Sequence, residues 1–179
     1  MEGNENKVKG SNNAIKGNIN VVKGNKNKVN GDENLLSGNR NSVEGRLNVL
    51  SGDENLIKGS ESSVVGNQNS MVGDKNLVRG NKNKLDGSEN VVEGSKNDLK
   101  GNKNSVAGDD NLLRGDSNML KGSRNRVAGN NNGVNGDSNQ IMGNINAVNG
   151  DDNKVRGNEN AVEGDLNRVV GSKNQLEGS

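Results

Sequence analysis

The sequence predicts an all-β fold of the parallel β-solenoid class, in which short strands stack coil upon coil. A glycine occurs at every seventh position from Gly3 to Gly178 without an insertion or deletion. Counted from that glycine as position 1, position 4 is Asn in every heptad except the one with Ser62, and position 6 is always Val, Leu, Ile or Met. So short a fixed period indicates repeats that each contact only their neighbours. We therefore predict one β-solenoid domain over residues 1–179, with 25 heptad repeats at residues 3–177.

A helical fold with the same period is excluded by the heptad itself. A coiled coil needs apolar residues at two positions per heptad, and here only position 6 is reliably apolar. A glycine in every heptad would also cost about 0.8–1 kcal/mol each in a helix. A hydrophobic content of 26% would otherwise suggest disorder, but a disordered chain does not require an aliphatic residue at every seventh position. The pattern thus favours strands.

Each heptad consists of one strand and one corner in this interpretation. Positions 4 and 6 are two residues apart, so both side chains point to the inner side of an extended segment, whereas positions 3, 5 and 7 point outward. Glycine at position 1 and Asn, Asp or Ser at position 2, with Arg46 as the exception, are typical of a turn. We expect a strand of about four residues per heptad. We also expect the inner Asn side chains to stack in a ladder that Ser62 interrupts.

The number of heptads in one coil is indicated by position 5. In alternate heptads, beginning with the first, this position is mostly apolar or small, and in the intervening heptads it is mostly polar. The asymmetry favours a two-sided solenoid with coils of two heptads, because alternate heptads then lie on opposite faces. The similar segments GDENLLS at 31–37 and GDENLIK at 52–58 are three heptads apart. A three-sided solenoid with coils of three heptads is therefore the alternative.

The composition excludes several kinds of function. The chain has no His and no Cys, and no set of residues has the pattern of a catalytic site, so we predict that it is not an enzyme and needs no cofactor. Asp alternates freely with Asn and Ser at position 2, which indicates a role in turns rather than in a metal site. The 24 basic and 23 acidic side chains are nearly balanced and there is no aromatic residue to stack on a base. We therefore expect neither a nucleic acid nor a membrane as partner.

One set of residues is a candidate interaction face. If the coil is two-sided, an apolar column lies on one of its faces, with Ile19 and Leu47 near its edge. Such a stripe is typical of a partner surface, and the β-propensity of these residues is the alternative explanation. Self-association through this face, or through open strand edges at the solenoid ends, is thus one expected behaviour. The column consists of Val21, Leu35, Val49, Leu77, Val91 and Met119.

The heptad x-x-Asn-x-Val-x-Gly resembles that of the ice-binding and ice-recrystallisation-inhibiting proteins of cold-tolerant grasses. Segments that carry this pattern include GSNNAIK at 10–16, GNINVVK at 17–23 and GNKNSVA at 101–107. The resemblance extends over practically the whole chain in one register. It implies a left-handed β-roll of about two heptads per coil, with inner Val and Asn ladders, and it implies ice as a partner.

The chain departs from that family in the residues beside the core. The family presents rows rich in Thr and Ser there, whereas this sequence contains no Thr. The unbroken register and the narrow set of amino acids favour an engineered member of the architecture. The sequence thus leads to the hypothesis of a non-enzymatic, engineered structural scaffold that presents flat faces on a rigid rod. The alternatives are an ice-binding protein that inhibits ice recrystallisation and a self-associating or filament-forming module.

Overall fold

The computed structural model describes residues 1–178 and contains two compact units, Met1–Asn90 and Val91–Ser179. Strands β1 to β12 lie in the first unit and strands β13 to β25 in the second. The regular secondary structure of the described residues consists of three-residue strands. No helix of residues 1–178 has the length and apolar character needed to cross a membrane.

The strands of the first unit are β1 Lys7–Lys9, β2 Ala14–Lys16, β3 Val21–Lys23, β4 Lys28–Asn30, β5 Leu35–Ser37, β6 Ser42–Glu44, β7 Val49–Ser51, β8 Leu56–Lys58, β9 Ser63–Val65, β10 Ser70–Val72, β11 Leu77–Arg79 and β12 Lys84–Asp86. Those of the second unit are β13 Val91–Glu93, β14 Asp98–Lys100, β15 Ser105–Ala107, β16 Leu112–Arg114, β17 Met119–Lys121, β18 Arg126–Ala128, β19 Gly133–Asn135, β20 Gln140–Met142, β21 Ala147–Asn149, β22 Lys154–Arg156, β23 Ala161–Glu163, β24 Arg168–Val170 and β25 Gln175–Glu177.

In each unit, odd-numbered and even-numbered strands form separate parallel sheets. In the first unit β1 pairs with β3 and β2 with β4, so that Val8 lies beside Val22 and Ile15 beside Val29. The second unit repeats the arrangement, as in the pairing of β13 with β15. Paired residues are always two heptads apart. This register confirms the two-sided solenoid with 14-residue coils, and the three-sided alternative is wrong.

The core of each unit consists of the inner residues at positions 4 and 6. Leu36, at position 6, is 0% exposed, and Asn34, two residues earlier at position 4, is 1% exposed. The outward residues of the same strand, Leu35 and Ser37, are exposed. The predicted alternation of inner and outer positions is confirmed for positions 4 to 7. Because strand β5 has one buried aliphatic side chain, the core is narrow and relies on its polar component.

The inner Asn residues form a hydrogen-bonded ladder from coil to coil. The Asn34 backbone N–H and side-chain Nδ2 both donate to the Oδ1 of Asn20 one coil earlier, each at 3.0 Å. The same Nδ2 donates to the carbonyl oxygen of Gly45 at 2.8 Å, and Asn48 continues the series. Burial of an amide is costly without such bonds. Within residues 1–178, no buried side-chain nitrogen or oxygen is left without a hydrogen bond.

The corners differ from the predicted geometry at position 3. Every position-3 residue has a left-handed φ near +60°, including Ile19 at +58° and Ile145 at +59°. Position 3 therefore belongs to the corner, and the strands have three residues rather than the expected four. The corner needs left-handed residues at positions 1 and 3 to reverse the chain within one heptad. Isoleucine is an unusual choice there because its branched side chain crowds the backbone in this region.

Position 2 forms a second ladder along the corners. The Asn18 backbone N–H donates to the Oδ1 of Asp32 in the next coil at 2.6 Å. Short Asn, Asp and Ser side chains thus bind the backbone of the preceding coil, not the backbone of their own turn. Arg46 cannot continue this ladder, because its guanidinium has no acceptor, and it forms an exposed ion pair with Glu33 at 3.0 Å.

Replacement of Ser62 by Asn is expected to stabilise the first unit. Ser62 Oγ donates to the Ser60 carbonyl oxygen at 3.2 Å and accepts from the Asn76 N–H at 3.2 Å, so it does not supply the two Nδ2 bonds of an inner Asn. Ser62→Asn would restore donors to Asn48 Oδ1 and Gly73 O. We expect the free energy of unfolding in urea to rise by about 1–2 kcal/mol.

The control for this change is Ser63→Asn on the outward side of the same strand. Ser63 lies at position 5 and its side chain does not enter the ladder, so its replacement should change the unfolding free energy by less than about 0.5 kcal/mol. Equal effects of the two substitutions would contradict the ladder as the source of stability.

Candidate functional site

Each unit presents two flat outer faces formed by positions 5 and 7 of its strands. We call the outward side of the odd-numbered strands the odd face and that of the even-numbered strands the even face. Along one face, residues at the same position repeat once per coil in register, at a strand spacing of about 4.8 Å. The two faces of a unit therefore differ only in the side chains that they carry.

In the first unit the apolar column predicted from the sequence lies on the odd face. Val21 pairs with Leu35 and Leu35 with Val49, so these three side chains are neighbours on consecutive strands. Ser63 then separates Val49 from Leu77. Leu35 and Val49 are exposed, whereas Val21 and Leu77 are half-buried. Ile19 and Leu47 lie in the corners beside the column, and both are exposed.

In the second unit the remaining two residues of the column do not touch. Ser105 on β15 lies between Val91 on β13 and Met119 on β17. Both apolar side chains are exposed, Met119 by 67%. Beyond Met119 the position-5 row continues with Gly133, Ala147 and Ala161, and its last residue is Gln175. The structure thus places small residues, rather than a continuous apolar stripe, along this part of the odd face.

The prediction from the sequence missed the second row of the odd face, at position 7. In the first unit this row contains Ser37, Ser51 and Val65 on three consecutive strands. In the second unit it contains Asn135 and Asn149, whose side chains are joined by a hydrogen bond of 2.8 Å from Nδ2 to Oδ1. A comparison of alternate heptads gives no signal for this row, because charged residues at position 7 are about as frequent in the odd-numbered strands as in the even-numbered ones.

A shallow depression marks the odd face of the second unit. Its volume is 540 Å³, and its floor contains Gly133, Ala147 and Ala161. Longer side chains, including Met119 at one end and Gln175 at the other, surround it. The depression arises because the three middle residues have almost no side chain, so it is a smooth, open surface and not an enclosed site.

The even faces are more highly charged. Most even-numbered strands carry a charged residue at position 5 or 7; the strands without one are β10, with Ser70 and Val72, and β20, with Gln140 and Met142. On the odd face, by contrast, strands β5, β7, β9, β15, β19 and β21 have no charged side chain. No group of three or more acidic residues within 1–178 is arranged to hold a metal ion.

Comparison with known families now assigns the fold. The sequence model described as grass antifreeze beta roll matches residues 1–59, 48–122 and 93–178, which together cover nearly the whole chain. The chain belongs to the grass antifreeze β-roll family. A comparison with individually curated proteins gives no match.

The family assignment decides several of the predictions made from the sequence. The resemblance to grass ice-binding proteins and the two-sided β-roll are both confirmed. The grass antifreeze β-rolls are a structural, ice-binding family rather than an enzyme family. The engineered origin, the left-handed coil and the single domain over residues 1–179 stay predictions.

Proposed function

We propose that this grass antifreeze β-roll binds ice and inhibits ice recrystallisation, and that the odd faces contact the ice. The observation that carries the proposal is the family match together with odd faces that carry uncharged rows on consecutive strands. This proposal replaces the scaffold hypothesis as the main function, because an ice-binding family accounts for the regular faces without a further assumption.

The odd face has the regularity that binding to a crystal requires. Residues at one position repeat at about 4.8 Å along the solenoid and at about 6.6 Å between positions 5 and 7 of a strand. The Asn ladder beneath it holds the strands at inner position 4, as Asn146 does through Asn132 and Gly157. A rigid two-dimensional array of side chains can order adjacent water in one lattice, whereas mobile side chains cannot.

The chemistry of the odd face also favours ordered water. Small apolar groups such as Ala147, Ala161 and Gly133 restrict the orientation of the water beside them without holding it in an ionic shell. The Asn135 and Asn149 amides add hydrogen-bonding groups in the neighbouring row. A charged group, by contrast, loses part of its hydration when it is pressed against a solid surface. The charged even faces are therefore the poorer candidates.

The dimensions of the odd face argue against a stable protein partner. Three-residue strands make a face about 10 Å wide, and the seven odd strands of the second unit extend it to about 30 Å, which gives about 300 Å². A stable protein interface buries about 800 Å² on each partner. The apolar column is thus better suited to ice than to a second copy of the chain.

The substitution Ala147→Lys on the odd face is expected to abolish most of the ice activity. The lysine would place a flexible cation in the middle of the smooth depression, which would separate the face from the ice. We expect at least a tenfold higher protein concentration to be needed in an ice-recrystallisation assay. The unfolding free energy should change by less than about 0.5 kcal/mol, because the side chain is exposed.

The matched control is Ala128→Lys on the even face of the same unit. Ala128 is also an exposed strand alanine, so the two variants have the same composition and net charge. The control should keep its activity within twofold. An equal loss in both variants, or a larger loss for Ala128→Lys, would show that the odd face is not the ice-contacting surface, and an inactive parent protein would contradict ice binding altogether.

A further inference from the structure

The even face of the second unit carries a concentration of unpaired positive charge. Asp98 is its one acidic residue among positions 5 and 7 of strands β14 to β24. The cations of this face are all exposed, and none of them is within 4.0 Å of a carboxylate in the part of the chain that the structure describes. We call this set the cationic row: Lys100, Arg114, Arg126, Lys154, Arg156 and Arg168.

The cationic row borders a trough in the even face. The trough has a volume of 330 Å³. Arg114 and Arg126 lie at one end and Lys154 and Arg156 at the other, with Gln140 and Met142 of β20 between them. The two pairs are two to three coils apart, a distance of about 10–15 Å at the usual strand spacing. The row thus offers positive charge at both ends of an open depression in the even face.

The corners beside this face limit what can bind to it. The corners that precede strands β20, β22 and β24 carry Asp137, Asp151, Asp152 and Asp165, and the corner before β18 carries Arg124, which is 4.0 Å from Asp137. Each acidic position-2 residue there is held in the corner ladder, as Asp151 is by the Asp137 backbone N–H. A broad polyanion, such as a nucleic-acid duplex or an anionic bilayer, would overlap this acidic edge. A single narrow chain that runs along the trough would avoid it.

We propose that the even face of the second unit binds a linear carboxylated polysaccharide, with one polymer chain along the cationic row. Arginine provides four of the six cations, and its planar guanidinium matches a carboxylate with two parallel hydrogen bonds. Single-stranded nucleic acid is a poorer fit because the chain has no aromatic residue on which bases can stack. A bilayer surface is also a poorer fit, because the chain has no Trp or Tyr to anchor it at the membrane interface. The site is separate from the odd face proposed to bind ice.

The driving force in this interaction is the release of counterions from the polymer. A densely charged polymer holds a layer of condensed cations. Each protein cation that replaces one of them strengthens binding, and this contribution to the affinity falls steeply as the salt concentration rises. Because the strands are held in one sheet, the Cα atoms of all six residues keep fixed positions on the same face. Several contacts can therefore form at once. Binding should therefore be strong in low salt and weak near 200 mM salt.

The test is binding of the folded protein to polygalacturonate, measured by equilibrium dialysis at 20 and 200 mM NaCl. The variant Arg126→Gln, Lys154→Gln, Arg156→Gln removes three cations around the trough. Glutamine is compatible with this face because Gln140 already lies at position 5 of β20. We expect the variant to bind at least tenfold more weakly at 20 mM salt and to show about half the salt dependence of the parent.

The control variant removes three cations elsewhere in the same unit: Lys103→Gln, Lys121→Gln, Lys173→Gln. It has the same net charge as the first variant and should bind polygalacturonate within twofold of the parent. Equal weakening in both variants would overturn the proposal in favour of non-specific attraction. The absence of binding at 20 mM salt, or tighter binding to duplex DNA or to phosphatidylserine vesicles than to polygalacturonate, would overturn it as well.

Discussion

Replacement of Gly129 by alanine is expected to unfold the coils around it. Gly129 has a φ of +138°, in a region that is essentially limited to glycine. A Cβ atom there would also overlap the carbonyl oxygen of Gly143 in the next coil. Because that oxygen belongs to backbone, neither atom can move away without breaking the strand pairing. We expect a loss of more than about 4 kcal/mol of unfolding free energy, measured by urea denaturation and far-ultraviolet circular dichroism.

The same heptad contains its own control. Gly133 lies on the odd face at position 5, and a Cβ added to it would meet nothing within 4 Å. Gly133→Ala should therefore leave the fold intact and stabilise it by up to about 1 kcal/mol, because alanine loses less conformational freedom on folding. If Gly129→Ala and Gly133→Ala denatured at similar urea concentrations, the close stacking of corner glycines would not be the reason that residue 129 must be glycine.

Replacement of Asn146 by alanine is the second large effect that we expect. The Asn146 Oδ1 accepts from both the backbone N–H and the Nδ2 of Asn160, at 3.1 and 2.9 Å, and its Nδ2 donates to the Gly157 carbonyl oxygen at 2.9 Å. Alanine would leave these three groups without their partners. At about 1–3 kcal/mol for each of these three groups, the loss should be about 3–9 kcal/mol.

Hydrogen exchange provides the readout that locates this effect. Amide protons of the coils next to Asn146 should exchange faster in the Asn146→Ala variant, because stability in a solenoid depends on neighbouring repeats. Asn149→Ala is the control, since the Asn149 side chain is exposed and bonds only to the side chain of Asn135 among the described contacts. It should cost less than about 0.5 kcal/mol. A small increase in exchange rate that is spread over the whole chain in Asn146→Ala would contradict the role of the inner ladder.

The core and the coil size were both predictable from the sequence. Every inner position carried the same residue type, so the two-residue spacing between Asn34 and Leu36 was enough to assign them to the interior. The choice between two and three heptads per coil was less direct. It depended on a weak difference between alternate heptads at position 5, and the strand pairing confirms it because odd-numbered and even-numbered strands form separate sheets.

The left-handed conformation at position 3 has no signal in the sequence. Residues as different as Ile145, Lys103 and Asp152 share a φ close to +60° there, although left-handed residues are usually Gly, Asn or Asp. Closure of a coil on its neighbours imposes this conformation on whatever residue is present. The pairing of heptads across coils therefore overrides local preference at the corners.

The sequence by itself determined the period, the inner residues and the corner glycines, because these are local rules that every heptad repeats. The tertiary structure decided which outward side chains share a face, since residues two heptads apart become neighbours only when the coil closes. That closure places Gly133, Ala147 and Ala161 on one smooth surface and gathers Arg114, Arg126 and Arg156 on the other. The separation of a less charged face from a cationic one is thus a property of the coil and not of any single heptad.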